Sequence, residues 1–297
     1  MELHQTSGVP RVRTDEWDVP LGGLPGLSRV LLGRTHIEGA AAEVRFVSDQ
    51  REVSETVARQ VWEGLGTDVF SVFEPSTQMI VNIEITQQGP IPTQTSAQGW
   101  LLATSDRATA VTLLPTLVIV QTREYERFST SLGDRLRRAL ELFTEASGVS
   151  LISRVGLRYI NRLTDEDALS PVFWSGHIRE PFAGPLNGPV AGLVTGAHQQ
   201  TEMMLDATAG ARVQSGVFVE QQPAGNDARY SYLVDIDVFR EATMGYDAQG
   251  CSNQVRQLNR TALALFAQVL SDNYLEALKP AEVEPAVPLY WQGGGDR

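Results

Sequence analysis

The 297-residue sequence has almost no cysteine, since Cys251 is the only one. A single thiol cannot form an intramolecular disulfide, so nothing indicates an oxidising compartment, and a four-cysteine zinc site is excluded. The four histidines, His4, His36, His177 and His198, lack the close spacing of metal-binding motifs. We therefore expect neither a metal nor another cofactor.

Long apolar runs and catalytic motifs are also lacking. Residues 1–5 carry neither the basic nor the apolar region of a secretory signal. The longest apolar stretches, such as residues 108–120, contain Thr and Pro and are too short to cross a bilayer. No nucleophile elbow, phosphate-binding loop or dinucleotide fingerprint occurs. These absences predict a cytoplasmic protein without membrane association, and they give no support to any enzyme class.

The charge of the chain is strongly one-sided. It has 36 acidic and 24 basic residues and a net charge of −12. Such a surface repels phosphate backbones, so we do not expect the bulk surface to bind nucleic acid. Hydrophobic residues make up 42% of the sequence and charged residues 20%, as in ordinary globular proteins.

The first half of the chain shows one strand, a helix and then several strands. Ser48 and Asp49 are the predicted N-cap of the first helix. Short turns, such as Ser105 with Asp106, separate the later strands and favour an antiparallel meander. The predicted strands are residues 40–47, 69–73, 79–86, 100–104, 108–114 and 117–121. A long helix over about residues 125–147 ends this half.

The second half repeats much of this order. A strand at residues 150–163 precedes a Pro- and Gly-rich connection at residues 170–197. Strands at residues 202–207, 212–220 and 230–239 follow, and a helix over about residues 252–278 ends the half. The sequence therefore predicts an α+β fold of two similar halves, each a curved antiparallel sheet with a long helix on one face.

Four segments follow from this reading. Residues 1–35 are predicted to form an extended arm with one short strand at residues 27–32. Residues 36–148 form a first lobe, residues 149–280 a second lobe, and residues 281–297 a tail.

Residues 154–163, RVGLRYINRL, resemble the signature of an uncharacterised bacterial family described as sporadically distributed. Similar blocks lie at residues 99–102 before the Ser105 turn, at Tyr125 and Phe128, and in the final helix from Leu258, Asn259 and Arg260 to Pro280. The resemblance covers about residues 40–280 and implies no activity, because the family has none established. Its patchy distribution is similar to that of genes on mobile or defence islands.

The strand at residues 154–163 carries the first candidate site. Because side chains alternate along a strand, Arg154, Arg158 and Arg162 share one face, and Leu157 and Tyr159 lie on the predicted core face. Arginine suits bidentate contact with carboxylates and phosphates, so the row predicts a site for an anionic ligand or an acidic partner. The alternative is pairing with acidic residues on neighbouring strands. The candidates for that pairing are Glu202, Asp206, Asp235 and Asp237.

Trp174 and His177 complete the candidate set. They lie in the connection at residues 170–197, and loops of this length are often functional. An aromatic side chain beside the arginine row would suit a ring, a peptide or a base. The alternative is that aromatic residues of this loop close one end of the core.

Three functions stay open. The first is a non-catalytic binding or assembly protein that holds a protein partner or another copy of itself, as a component of a multi-subunit system on a mobile or defence island. The second is a sensor that binds an anionic small ligand or nucleotide on the arginine-lined face. The third is a hydrolase or nuclease with dispersed carboxylates.

Overall fold

The computed structural model describes residues 16–26, 36–86, 89–220 and 228–278. The strands in these residues are β1 Ile37–Phe46, β2 Val72–Thr86, β3 Gly89–Ala103, β4 Thr109–Leu114, β5 Leu117–Thr122, β6 Leu151–Leu163, β7 Ala197–Met204, β8 Ala209–Val219 and β9 Tyr230–Gly245. The α-helices are α1 Glu55–Leu65, α2 Asp134–Ser147, α3 Glu180–Ala183, α4 Ala248–Val269 and α5 Asp272–Ala277.

All nine described strands belong to one sheet with the order β2-β3-β4-β5-β1-β6-β9-β8-β7. Each neighbouring pair is antiparallel, which confirms the prediction of an antiparallel α+β fold. Sequence reasoning gave each half a sheet of its own. Instead β1 pairs directly with β6, for example Ala41 with Arg158 and Glu43 with Gly156, and this pairing joins all strands into one sheet.

The core lies on the helical face of the sheet. Alternate side chains of β1 are buried there, and the Phe46 ring lies 5.6 Å from the ring of Phe143 in α2. α4 packs against β6 and β9, and α1 packs beside α2. The predicted core face of β6 is confirmed, since its members are all buried. They are Val155, Leu157, Tyr159, Asn161 and Leu163.

Asn161 shows how a buried amide is satisfied on this face. Its Nδ2 donates to the carbonyl of Val234 at 3.0 Å. Val234 is the cross-strand neighbour of Asn161 on β9. The amide therefore ties β6 to β9.

The first helix begins later than predicted. Ser54 is the N-cap of α1 and accepts a hydrogen bond from the Val57 amide at 3.4 Å. Residues 51–53 are instead held by β3: Gln98 donates its amide to Arg51, and Val53 donates to Gln98, each at 3.0 Å. This pairing explains why Ser48 and Asp49 do not start the helix.

β2 and β3 are longer than predicted, and each spans 15 residues. Pro75 separated two predicted strands, yet it lies within β2 and pairs with Trp100. β2 is at the edge of the described sheet, where proline is tolerated because one side of the strand needs no ladder hydrogen bond.

The final helix is divided into α4 and α5. The Val269 carbonyl accepts from the Arg179 amide, and the Ser271 amide donates to the His177 carbonyl, each at 2.9 Å. The Ser271 hydroxyl then caps α5 by accepting from the Tyr274 amide at 3.3 Å. Backbone of the connection thus interrupts the helix that the sequence predicted as continuous.

None of the described helices combines the length and the apolar character that a bilayer crossing requires.

Residues 16–26 lie against α4, although the sequence predicted an extended arm. The Leu21 amide donates to the Thr261 hydroxyl at 3.0 Å, and the Gln257 side chain donates to the Val19 carbonyl at 3.3 Å. The predicted strand at residues 27–32 and the predicted tail at residues 281–297 lie outside the described residues.

We expect Leu265→Ala in α4 to lower the free energy of unfolding by about 2–5 kcal/mol, since Leu265 is 2% exposed and its loss leaves a cavity. The measurement is the urea midpoint. Leu193→Ala is the matched control, because Leu193 is 82% exposed. Equal midpoints for the two variants would contradict the role of α4 in the core.

Candidate functional site

The face of the sheet opposite the helices carries a groove of about 570 Å³. Its lining residues come from β1, β5, β6, β9 and the turn between β3 and β4. The floor is formed by Gly39, Ala41 and Gly156, the apolar walls by Ile119 and Ile160, and the rim by Arg107, Arg123, Arg154 and Arg158.

Small side chains at the centre of the sheet create this groove. Gly39 and Ala41 alternate with buried residues of β1 and therefore point to the open face. Ala41 lies between Gln121 of β5 and Arg158 of β6, and Gly39 lies beside Ile160. Short side chains between long ones leave a depression over β1. The sequence signal was the run of small residues in β1, which sequence reasoning used only to place a strand.

Arg154 is held by three carboxylates. Its guanidinium donates to Glu43 at 2.8 Å, to Glu241 at 2.9 Å and to Asp237 at 3.2 Å, and it lies 4.2 Å from the centre of the Phe239 ring. Burial lowers the pKa of Arg154, but these carboxylates outweigh it and raise the pKa overall. With 13% of its side chain exposed, Arg154 is a fixed part of the groove wall.

Arg158 is paired on one edge only. Its Nε and one Nη donate to Asp235 at 2.8 and 2.5 Å, a bidentate pair in which the Asp235 side chain is 9% exposed. The Arg158 side chain is 52% exposed. A guanidinium has five N–H donors, so Arg158 keeps donors for a second acceptor above the groove.

Arg162 contacts Glu38 and donates to the Ser231 hydroxyl at 3.0 Å. It lies on the same face as the other two arginines but outside the groove lining. The structure therefore shows an acidic partner for each arginine of the row, and two of the partners expected from the sequence, Asp235 and Asp237, are among them. The other two, Glu202 and Asp206, pair instead with Arg212 and Arg240.

Two arginines from the first half complete the rim, and sequence reasoning missed both. Arg107, in the β3–β4 turn, donates to both carboxylate oxygens of Glu74 at 2.8 Å, and this contact lowers the pKa of Glu74. Arg123, just beyond β5, is exposed and donates to the Arg107 carbonyl at 3.3 Å. Within the described part of the chain, Arg123 makes no ion pair.

The structure does not bring Trp174 and His177 to the arginine row. Trp174 is fully buried and donates its Nε1 to the Tyr230 carbonyl at 3.0 Å. His177 stacks on Phe173 at 4.4 Å and meets the Tyr274 ring edge-on at 4.7 Å. These rings close one end of the helical core, which was the alternative reading of the loop.

A buried tyrosine pair joins segments from both halves of the chain. The Tyr159 hydroxyl donates to Asn259 Oδ1 in α4 at 2.8 Å and lies 3.2 Å from the Tyr125 hydroxyl. Burial raises the pKa of Tyr159 well above its usual value. These contacts hold α4 and the segment before α2 onto β6.

A second depression, of about 440 Å³, lies on the helical side of β7 and β8. Three of its polar side chains are already engaged: the Tyr232 hydroxyl donates to the Phe182 carbonyl and lies 3.2 Å from the Ser215 hydroxyl, to which Gln199 donates at 3.3 Å. Burial raises the pKa of Tyr232 to about 12. This depression offers a ligand fewer polar contacts than the groove does.

Comparison with known proteins adds no assignment. No protein-family model matches the chain, and no curated protein is significantly similar to it. Among the described residues, no group of three or more His, Cys, Asp or Glu side chains has a geometry that could hold a metal ion. The functional assignment therefore depends on the geometry of the groove.

We expect Arg154→Ala to lower the free energy of unfolding by about 3 kcal/mol, because it leaves Asp237 partly buried without its ion-pair partner and leaves Glu43 paired with the exposed Arg45 alone. Chemical denaturation measures the change. Arg212→Ala, which breaks an exposed pair with Glu202, should cost about 0–1 kcal/mol. If Arg154→Ala costs no more than this control, the network is not structural.

Proposed function

We propose that the protein is a non-catalytic binding protein and that the groove over β1, β5 and β6 receives an anionic partner. The observation that carries the proposal is the placement of small residues at the groove floor and arginines at its rim, on the face opposite the helices. The volume of about 570 Å³ is in the range of small-molecule sites, roughly 300–1,000 Å³.

Local packing does not require the glycine at position 39, in contrast to Gly156, where an added Cβ would lie 3.0 Å from Glu43 Cγ. A Cβ atom added at Gly39 would meet only the Ile160 side chain, at an ordinary contact distance of 3.8 Å. At Gly216, in contrast, an added Cβ would lie 2.2 Å from the Ala197 carbonyl oxygen. Glycine in a strand interior lowers the stability of the strand. Because the neighbours of Gly39 leave room for a larger side chain, the glycine at this position supports a role in keeping the groove open.

The rim supplies the charge that an anionic partner needs. The groove lining contains the four rim arginines and Arg45 against two carboxylates, Glu43 and Asp237, in a chain whose net charge is −12. Further carboxylates, such as Asp235 and Glu74, neutralise part of this excess. Arg123 and the free edge of Arg158 remain to recognise an anion.

The predicted pseudo-repeat is part of the proposal. From the centre of the sheet outwards, β1, β5, β4 and β3 follow the same chain order as β6, β9, β8 and β7. In each half a long helix follows the strand that returns to the centre. If the halves are structural copies, the groove lies at their junction, where a partner contacts both. In an assembly, the same face would take an acidic segment of another subunit.

We expect Ala41→Leu to fill the groove and abolish partner binding while leaving the unfolding midpoint within error, because Ala41 points to the open face. Wild-type and variant proteins would be used to capture ligands and proteins from an extract of the native host, with mass spectrometry of both. A species that the wild type retains should be lost from the variant.

Gln200→Leu is the matched control, since Gln200 is exposed on the same face but lies on β7, four strands from β1. This control should retain the captured species. A species that Ala41→Leu retains as strongly as the wild type would contradict the placement of the site.

A further inference from the structure

We infer that the groove binds a phosphate-bearing small molecule with a planar ring, the chemical class of nucleotides, and that Arg123 and Arg158 hold its phosphate. This inference rests on the proposed function and assigns a ligand class to the same groove. Each of the two arginines comes from a different half of the chain, and both line the groove.

The positions of the two arginines favour one shared anion. Arg158 lies beside Ala41, which lies beside Gln121, and Arg123 is two residues beyond Gln121. Strand spacing and rise therefore place the two Cα atoms roughly 12 Å apart, with the β1 floor between them. The two side chains lie on opposite sides of this floor, and each is long enough for its remaining donors to reach a common group above it.

The donors that remain on these side chains match phosphate better than a carboxylate. Asp235 occupies two donors of Arg158, and Arg123 uses one on the Arg107 carbonyl. A carboxylate has two oxygens and is satisfied by a single guanidinium fork. A terminal phosphate has three oxygens and can accept from two guanidinium groups at once.

The rest of the groove suits a flat, largely apolar body. Ile160 lies beside Gly39 and Ile119 beside Glu43, on opposite sides of β1, and both line the groove. Gly39 and Ala41 expose backbone and a methyl group on the floor next to Ile160. A ring can lie on this floor, where it excludes water from apolar surface. Guanidinium groups also stack on planar rings, which favours an aromatic body over an aliphatic one.

A longer nucleic acid fits less well. It would extend beyond the groove over a protein with a net charge of −12, and the repulsion grows with each additional phosphate. The open face also presents carboxylates outside the groove, including Glu241 and Glu202, whose side chains are 59% and 64% exposed. These charges favour a ligand with few phosphates.

Calorimetric titration of the full chain with ATP, inorganic pyrophosphate and adenosine tests the inference. We expect ATP and pyrophosphate to bind, with affinity that falls as salt rises, and adenosine to bind at least about tenfold more weakly than ATP. Arg123→Gln should weaken ATP binding about tenfold or more, the loss of one hydrogen bond to a charged group. It should change the melting temperature little, because Arg123 makes no ion pair among the described residues and Asp106, the carboxylate whose pKa it helps to lower, is also held by Thr104 and the Ala108 amide.

Arg127→Gln is the matched control, because it removes the same charge from an exposed residue outside the groove lining. It should leave ATP affinity within about fivefold, as for other exposed charges. Equal weakening by both variants, or no binding of ATP and pyrophosphate at millimolar concentration, would overturn the inference. So would tighter binding of a single-stranded oligodeoxythymidine than of ATP.

The failures of the two proposals are distinguishable. If a captured species is lost from Ala41→Leu but carries no phosphate, or is unaffected by Arg123→Gln, the groove is a binding site and the phosphate assignment is wrong. If Ala41→Leu leaves ATP affinity unchanged although Arg123→Gln weakens it, phosphate binds outside the groove and both assignments fail.

Discussion

The pairing of β1 with β6 is the constraint on which the rest of the structure depends. It joins the strands of the two halves into one sheet, and its register places Ala41 beside Arg158 and Glu43 beside Gly156. Because side chains alternate, a shift of one residue would turn the arginines into the helical core and the apolar residues into solvent. The register therefore fixes the core and this side of the groove together.

Electrostatics reinforces this register. Arg154 of β6 reaches Glu43 on β1 and Asp237 and Glu241 on β9, so one cation connects three neighbouring strands. Burial raises the pKa of Asp237, against the opposing effect of Arg154, which shows that part of this network is poorly hydrated. Such a network stabilises the fold only while its charges balance. Arg123 and Arg158, to which the proposal assigns a ligand, form no ion pair with the carboxylates of this network.

Periodicity in the sequence predicted the fold class, β6, most of β8 and the start of β9, and the two faces of β6, because these depend on side chains close together along the chain. β7 begins five residues before the predicted strand at residues 202–207. Periodicity failed where contacts between residues distant in the chain determine the local structure. The start of α1 depends on pairing between Arg51 and Gln98, and the break before α5 on contacts with His177 and Arg179. The arginine row could be read from residues 154–163, but its partners on β1 could not, because they lie more than a hundred residues away.

The groove was hidden from sequence reasoning for a related physical reason. A sequence motif consists of residues that are present. The groove instead arises where short side chains on β1 lie between long side chains on the adjacent strands. The run of alanines in β1 has two functions that one sequence pattern cannot separate: Ala40 and Ala42 are buried against the helices, while Ala41 opens the other face. Only the pairing of Ala41 with Gln121 and Arg158 shows that its small size leaves room beside a cation. In a sheet with one uncovered face, the relative sizes of side chains on neighbouring strands therefore determine where a groove lies. These neighbours can be identified only once the strand register is known.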